Sequence, residues 1–89
     1  MTRILVVGGA GYIGSHTVKA LIKEGFKPIV LDNLVNGNRY IVENVLKTPL
    51  IIGQAGDKEL LKTILKGEHP KTNGDEIDAI INFAAYTSV

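Results

Sequence analysis

The feature that most constrains this chain is an abrupt junction near its start. Arg3-Ile4-Leu5-Val6-Val7 is an unbroken aliphatic and β-branched run, and it stops against Gly8-Gly9-Ala10-Gly11-Tyr12-Ile13-Gly14, four glycines in seven residues. A short apolar run without polar alternation reads as a strand buried on both faces, the kind found in parallel sheets covered by helices. From Tyr12 onward, Ile13, Thr17, Ala20, Leu21 and Phe26 are expected to mark the buried side of a helix reaching about Glu24, with Gly25 placed to end it. Pro28-Ile29-Val30-Leu31 follows as a second buried strand. Strand, glycine turn, helix and strand in about thirty residues form one βαβ unit.

The alternation continues. Asp32-Asn33-Leu34-Val35-Asn36-Gly37-Asn38 is polar and rich in turn formers, a loop at the tip of the second strand. Arg39 to about Lys47 carries Ile41, Val42, Val45 and Leu46 at helical spacing and is closed by Pro49. Leu50-Ile51-Ile52 is a third strand, ending at Gly53. Asp57 reads as the N-cap of a helix whose stripe is Leu60, Leu61, Ile64 and Leu65. Gly67 to Glu76 reads as a ten-residue polar loop, and Asp78 to Phe83 as a fourth strand. The pattern predicts an α/β fold with a helix-covered parallel sheet of four strands in the order 3-2-1-4.

Composition removes several functions. With no cysteine, disulfides and thiolate metal sites are excluded, and His16 and His69 are too far apart in sequence to form a metal motif. Ten basic against nine acidic residues give a net charge of +1 without a basic block, so no nucleic-acid partner is expected. The apolar runs fall well short of the ~20 residues that a membrane span requires. A secretory signal is the competing reading of the first residues, but the early glycines leave no continuous apolar core for one. A cytoplasmic location is the expectation. No G-x-x-x-x-G-K-[ST] run occurs, which leaves nucleoside triphosphate hydrolysis without support.

The glycine run satisfies G-x-G-x-x-G through Gly9, Gly11 and Gly14, and G-x-x-G-x-x-G through Gly8, Gly11 and Gly14. Either pattern alone is weak. Placed between a strand and a helix, it is the dinucleotide fingerprint of a Rossmann-type fold, in which the pyrophosphate approaches bare backbone and the amino end of the helix. The competing reading is a tight turn that merely needs glycine. Asp32, 18 residues beyond Gly14, stands close to where a carboxylate accepts from the adenosine ribose hydroxyls and repels a 2′-phosphate, which favours NAD over NADP.

The combination Gly8-Gly9-Ala10-Gly11-Tyr12-Ile13-Gly14-Ser15-His16 with Leu31-Asp32-Asn33-Leu34-Val35-Asn36-Gly37-Asn38-Arg39 resembles the UDP-glucose 4-epimerases of the extended short-chain dehydrogenase/reductase superfamily. The resemblance runs over essentially the whole chain and implies the amino-terminal part, residues 1–89, of a Rossmann domain that binds NAD, without the substrate domain. It implies that the backbone of Tyr12 and Ile13 meets the cofactor pyrophosphate beside Gly8, Gly11 and Gly14. Asp32, Asn33, Leu34, Val35, Asn36 and Gly37 would wrap the adenosine ribose. The adenine contact has two alignments. Gly56-Asp57 shortens the following helix, whereas Gly53-Gln54 keeps it whole, leaves Asp57 as its cap, and offers the Gln54 amide oxygen to the adenine amine, with Ala55 alongside. Phe83, Ala84, Ala85, Tyr86 and Thr87 match the segment that lines the cofactor toward its nicotinamide half.

The resemblance further implies interconversion of UDP-glucose and UDP-galactose through a 4-keto sugar, in galactose metabolism, by an enzyme expected to be a homodimer. Three positions depart from the family pattern. Val7 stands where Thr is usual, Thr87 where some epimerases have Lys, and no Tyr-x-x-x-Lys pair is present: Tyr12 and Tyr40 are followed at the fourth place by His16 and Asn44. Ser88 reads as a helix-start residue and not as the catalytic hydroxyl. The 89 residues are therefore expected to hold part of a cofactor site, to bind NAD weakly, to lack epimerase activity, and to associate through an exposed fourth strand. Other nucleotide-sugar epimerases or dehydratases, or a non-catalytic NAD-binding module, are the alternatives.

Overall fold

A computed structural model describes residues 2–35 and 37–84. Four strands, β1 (Arg3–Val7), β2 (Lys27–Asp32), β3 (Leu50–Ile52) and β4 (Ala79–Asn82), form an all-parallel sheet in the order β3-β2-β1-β4, as expected. Helix α1 (Tyr12–Lys23) connects β1 to β2, and α2 (Lys58–Leu65) follows β3. In register, Val6 stands beside Val30 on one side and Ile81 on the other.

The period-2 alternation of the central strands divides the core between two faces. Ile4, Val6, Val30 and Leu50 pack with Val18 of α1 and Val42, whereas Leu5, Val7, Ile29, Leu31 and Ile51 pack with Ile64 of α2. Leu5, Ile29, Leu31 and Ile64 are fully buried, each worth roughly 2 kcal/mol of transfer free energy. At the end of the sheet β4 is covered much less, with Ile80 51% exposed.

Three expectations need correction. Helix α1 does not bury the face read from its hydrophobic residues: Ile13 is 65% exposed, Ala20 and Phe26 are exposed, and the buried pair is Gly14 and Val18, with Thr17 and Leu21 half-buried. Contact through Gly14 brings the helix against the preceding loop and rotates the 14/18/21 stripe inward. The segment after Arg39 is helical as expected but runs as a wider, π-helical turn over Ile41–Val45, with Val42 at 0% exposure. Within the polar loop, Pro70–Thr72 forms a 3₁₀ turn started by His69, whose Nδ1 accepts from the Lys71 N–H, and Thr72 is buried. Asp57 caps α2 as expected, its Oδ1 accepting from the Leu60 N–H at 3.1 Å.

Candidate functional site

A cleft of about 460 Å³ opens where the carboxyl ends of the strands meet the loops that leave them. In a doubly wound sheet this is the end at which ligands bind. The main chain builds its floor by continuing the ladder past the strands: Gly8 N–H donates to Leu31 O at 2.8 Å, Phe83 N–H to Val7 O at 2.7 Å and Gly53 N–H to Asp32 O at 3.1 Å.

The glycines divide by what surrounds them. Gly8 has φ +82° and a side chain there would meet Ala84 N at 2.9 Å, so both conformation and crowding demand glycine. A Cβ on Gly9 would press on Val30 Cγ2 at 2.9 Å, and one on Gly14 on Gly8 O and, at 2.8 Å, on Gly9 Cα; these two serve close packing, of the loop on β2 and of α1 on the loop. Gly11 is different. Its φ is −76°, and an added Cβ would touch nothing nearer than Gly8 O at 3.5 Å. Fold and conformation tolerate a side chain here, yet Gly11 lines the cleft at the N-cap of α1, and no side chain caps that helix. The first-turn N–H groups and the positive end of the helix dipole are left facing the space that its missing side chain clears.

Asp32 locks the second wall. Its Oδ2 accepts from the Ala10 N–H at 3.0 Å and its Oδ1 from the Leu34 N–H at 2.8 Å, while Ala10 O accepts from the Asn38 N–H at 2.8 Å. The glycine loop and the loop after β2 are thus tied through one carboxylate. Each oxygen retains a lone pair for a further donor. The tie holds Leu34 at φ 63°, a conformation that strains a side chain other than glycine. Gly37 closes against it so tightly that a Cβ would stand 2.7 Å from Ala10 Cβ. Asp32 is the charged residue among the described residues that line the cleft.

Of the residues singled out in the sequence, the cleft brings together Gly8, Gly11, Asp32, Asn33, Val35, Gly37, Ala55, Phe83 and Ala84. Tyr12 and Ile13 turn their side chains to solvent, 81% and 65% exposed, and Gly14 is buried behind the loop. Leu34 packs against the core, and Gln54 is exposed and does not line the cleft, its Oε1 accepting from Asn33 Nδ2 at 3.4 Å. Asn36, Ala85, Tyr86 and Thr87 lie outside the described residues. Sequence reasoning did not list Val7, Leu31 and Gly53 as site residues, although each lines the cleft; as the last residue of β1, the one before the last of β2 and the one after β3, they were findable from the strand ends. Among the described residues no His/Asp/Glu group could hold a metal, and no helix is long and apolar enough to cross a membrane.

The model for the NAD dependent epimerase/dehydratase family matches residues 4–89. The UDP-glucose 4-epimerase of Lactobacillus helveticus is 44% identical over 87 residues, covering 98% of this chain and 24% of that protein. Among solved structures, the UDP-glucose 4-epimerase of Brucella ovis in complex with NAD is 37% identical with a TM-score of 0.74, covering 100% of this chain and 24% of the other. The dTDP-glucose 4,6-dehydratase of Bacillus anthracis in complex with NAD is 32% identical with a TM-score of 0.79, covering 98% and 28%. The chain spans about a quarter of the length of the proteins it matches.

Proposed function

Because the chain belongs to the NAD dependent epimerase/dehydratase family, we propose that its cleft holds the adenosine and pyrophosphate half of NAD, as the amino-terminal part of the Rossmann domain of a UDP-glucose 4-epimerase. Gly11 carries this reading. It is a glycine that neither backbone conformation nor packing explains, at the uncapped start of α1 and at the edge of a cleft. A dinucleotide accounts for all three, since its pyrophosphate needs bare backbone donors and a helix amino end.

The residues present fit the group. The N–H groups at the start of α1 would bind the pyrophosphate, and the space beside Gly11 admits its oxygens. Asp32 would accept from the ribose hydroxyls with the lone pairs left after it binds Ala10 and Leu34 and would repel a 2′-phosphate, which selects NAD over NADP. Asn33, Leu34, Val35, Asn36 and Gly37 would shape the ribose wall and Gln54 with Ala55 the base end. Phe83, Ala84, Ala85, Tyr86 and Thr87 would continue toward the nicotinamide half. When bound, NAD supplies reversible hydride acceptance, the chemistry by which a UDP-sugar is inverted at C4 without net oxidation.

The 89 residues hold no Tyr-x-x-x-Lys pair, so the role assigned to them is binding and orienting the cofactor. The whole enzyme is read as a cytoplasmic homodimer acting on UDP-glucose and UDP-galactose in galactose metabolism. The likeness to a dTDP-glucose 4,6-dehydratase supports a second reading, another nucleotide-sugar enzyme of the same family, because the adenosine half of the site does not touch the sugar.

Gly11→Ser separates binding from folding. Serine is a preferred N-cap and fits the φ and the space at this position, so the variant should melt at the same temperature as the parent or a few tenths of a kcal/mol more stably. Its affinity for NAD should fall at least about tenfold, because the new hydroxyl engages the donors meant for the pyrophosphate. Titration calorimetry with NAD, beside thermal melts, measures both. Unchanged NAD affinity in a stable variant would refute the assignment.

A further inference from the structure

Beside the cleft, and sharing Gly11 with it, a second cavity of about 420 Å³ lies between α1 and the π-helical turn. That volume falls within the roughly 300–1,000 Å³ of small-molecule sites. Tyr12, His16 and Lys19 line it from α1. Their i, i+4, i+7 spacing puts them on one face of the helix, apart from the Gly14 and Val18 stripe that is buried. Tyr12 stands edge-on to His16, with ring centroids 4.8 Å apart at 68°; its side chain is 81% exposed and serves neither the core nor the cofactor reading. Ile41, Val45 and Leu46 form the other wall. The Leu46 N–H donates to Ile41 O at 2.8 Å, the i+5 closure of a π turn, and such turns recur at functional sites. Val42 enters the core, whereas Val45 stays 58% exposed.

The charge of this cavity has one sign. Lys19 lines it and no Asp or Glu does, and among the described residues Lys19 makes no ion pair. Glu43, the acid carried by the turn, is held by Arg39 at 2.8 Å. We propose that the cavity binds a small aromatic carboxylate, its ring between the Tyr12–His16 pair and the aliphatic wall and its head on the Lys19 ammonium. An aromatic edge on one side and three branched side chains on the other suit a flat apolar body. One unpaired ammonium balances a monoanion and leaves a phosphate dianion in excess, so the head is a carboxylate. The site is distinct from the cleft and does not depend on the cofactor reading.

The test titrates naphthylacetate into the isotope-labelled 89-residue chain and follows the backbone amide resonances, with naphthylacetamide as the uncharged isostere. The amides of His16, Lys19, Ile41 and Val45 should shift, and those of Asp32, Asn33 and Gly53, which line the cleft and not this cavity, should stay in place. The acid should bind about threefold more tightly than the amide, the worth of one exposed ion pair. Lys19→Met keeps an apolar stem and removes the charge at an exposed position, so the chain should fold as before and bind acid and amide alike. Val45→Asp places a like charge in the aliphatic wall and should weaken the acid at least about tenfold. No shifts, shifts confined to the cleft, a preference for the acid that survives Lys19→Met, or binding that Val45→Asp leaves unaltered would each overturn the inference.

Discussion

At the amino ends of the strands, Arg3 is 4% exposed and its Nη2 donates to Thr72 O at 3.1 Å and Asp75 Oδ2 at 3.4 Å, with Lys27 Nζ 3.2 Å from the same carboxylate oxygen. Asp78 exchanges two bonds with the Arg3 main chain, its Oδ2 accepting at 2.9 Å and its N–H donating at 2.9 Å. At the carboxyl ends, the loops that leave the strands converge on a cleft in which a helix start has no side-chain cap and a carboxylate keeps spare lone pairs. One end consumes its polar groups internally, with Arg3 Nε the buried side-chain atom left over among the described residues. The other end holds its donors and acceptors in place and leaves them unused. The groups held open at the carboxyl ends are the ones that the proposed cofactor would engage.

The strongest way to break the contrast is at Gly14, which belongs to packing and not to the open cleft. A Cβ there meets Gly8 O and stands 2.8 Å from Gly9 Cα, both backbone atoms that cannot swing aside. Gly14→Ala should destabilise the chain by about 3 kcal/mol, the upper range for overpacking a rigid site, measured from denaturant melts. Equal stability would mean that α1 can slide away from the loop, and the separation of packing from binding glycines would lose its basis.

A smaller effect is expected at Asp57, which decides between the two alignments at the base end. As the cap of α2, its loss in Asp57→Ala should cost about 1 kcal/mol of stability and leave NAD affinity unchanged. A tenfold loss of affinity would place Asp57 at the adenine, and the Gly53-Gln54 alignment would be abandoned.

Much of this was legible in residue order because it depends on local chemistry. The strand order followed from the alternation of apolar runs with helical spacing, and the Asp57 cap from an acid three residues before Leu60. What escaped depends on partners far away in sequence. The buried face of α1 was misread because hydrophobicity gives Gly14 no weight, although its lack of a side chain is what lets the helix dock. Thr72 reads as a polar loop residue, yet it is buried, its hydroxyl donating to His69 O and its carbonyl accepting from the Arg3 side chain 69 residues distant. Glycine spacing identified the loop but could not tell Gly11 from Gly9, because that distinction lies in the neighbours a side chain would meet.

The smallest effect belongs to the closed end and concerns acid. The hydrogen bond from the Lys27 ammonium, then its charge, and to a lesser degree the Arg3 guanidinium, hold the Asp75 carboxyl below the ordinary carboxylate range, against the opposing pull of partial desolvation. A carboxyl whose folded pKa lies below its unfolded value near 3.9 contributes its stability above that value and loses it as pH falls through the folded one. Asp75 therefore adds to stability at neutral pH, and the addition fades below about pH 4. Asp75→Asn should melt at lower denaturant concentration than the parent at pH 7, and the gap should narrow as pH falls below about 4. A gap that persists unchanged into acid would mean that Asp75 acts by its shape and not its charge. NAD affinity at pH 7 should be the same in both, since the clasp and the cleft lie at opposite ends of the strands.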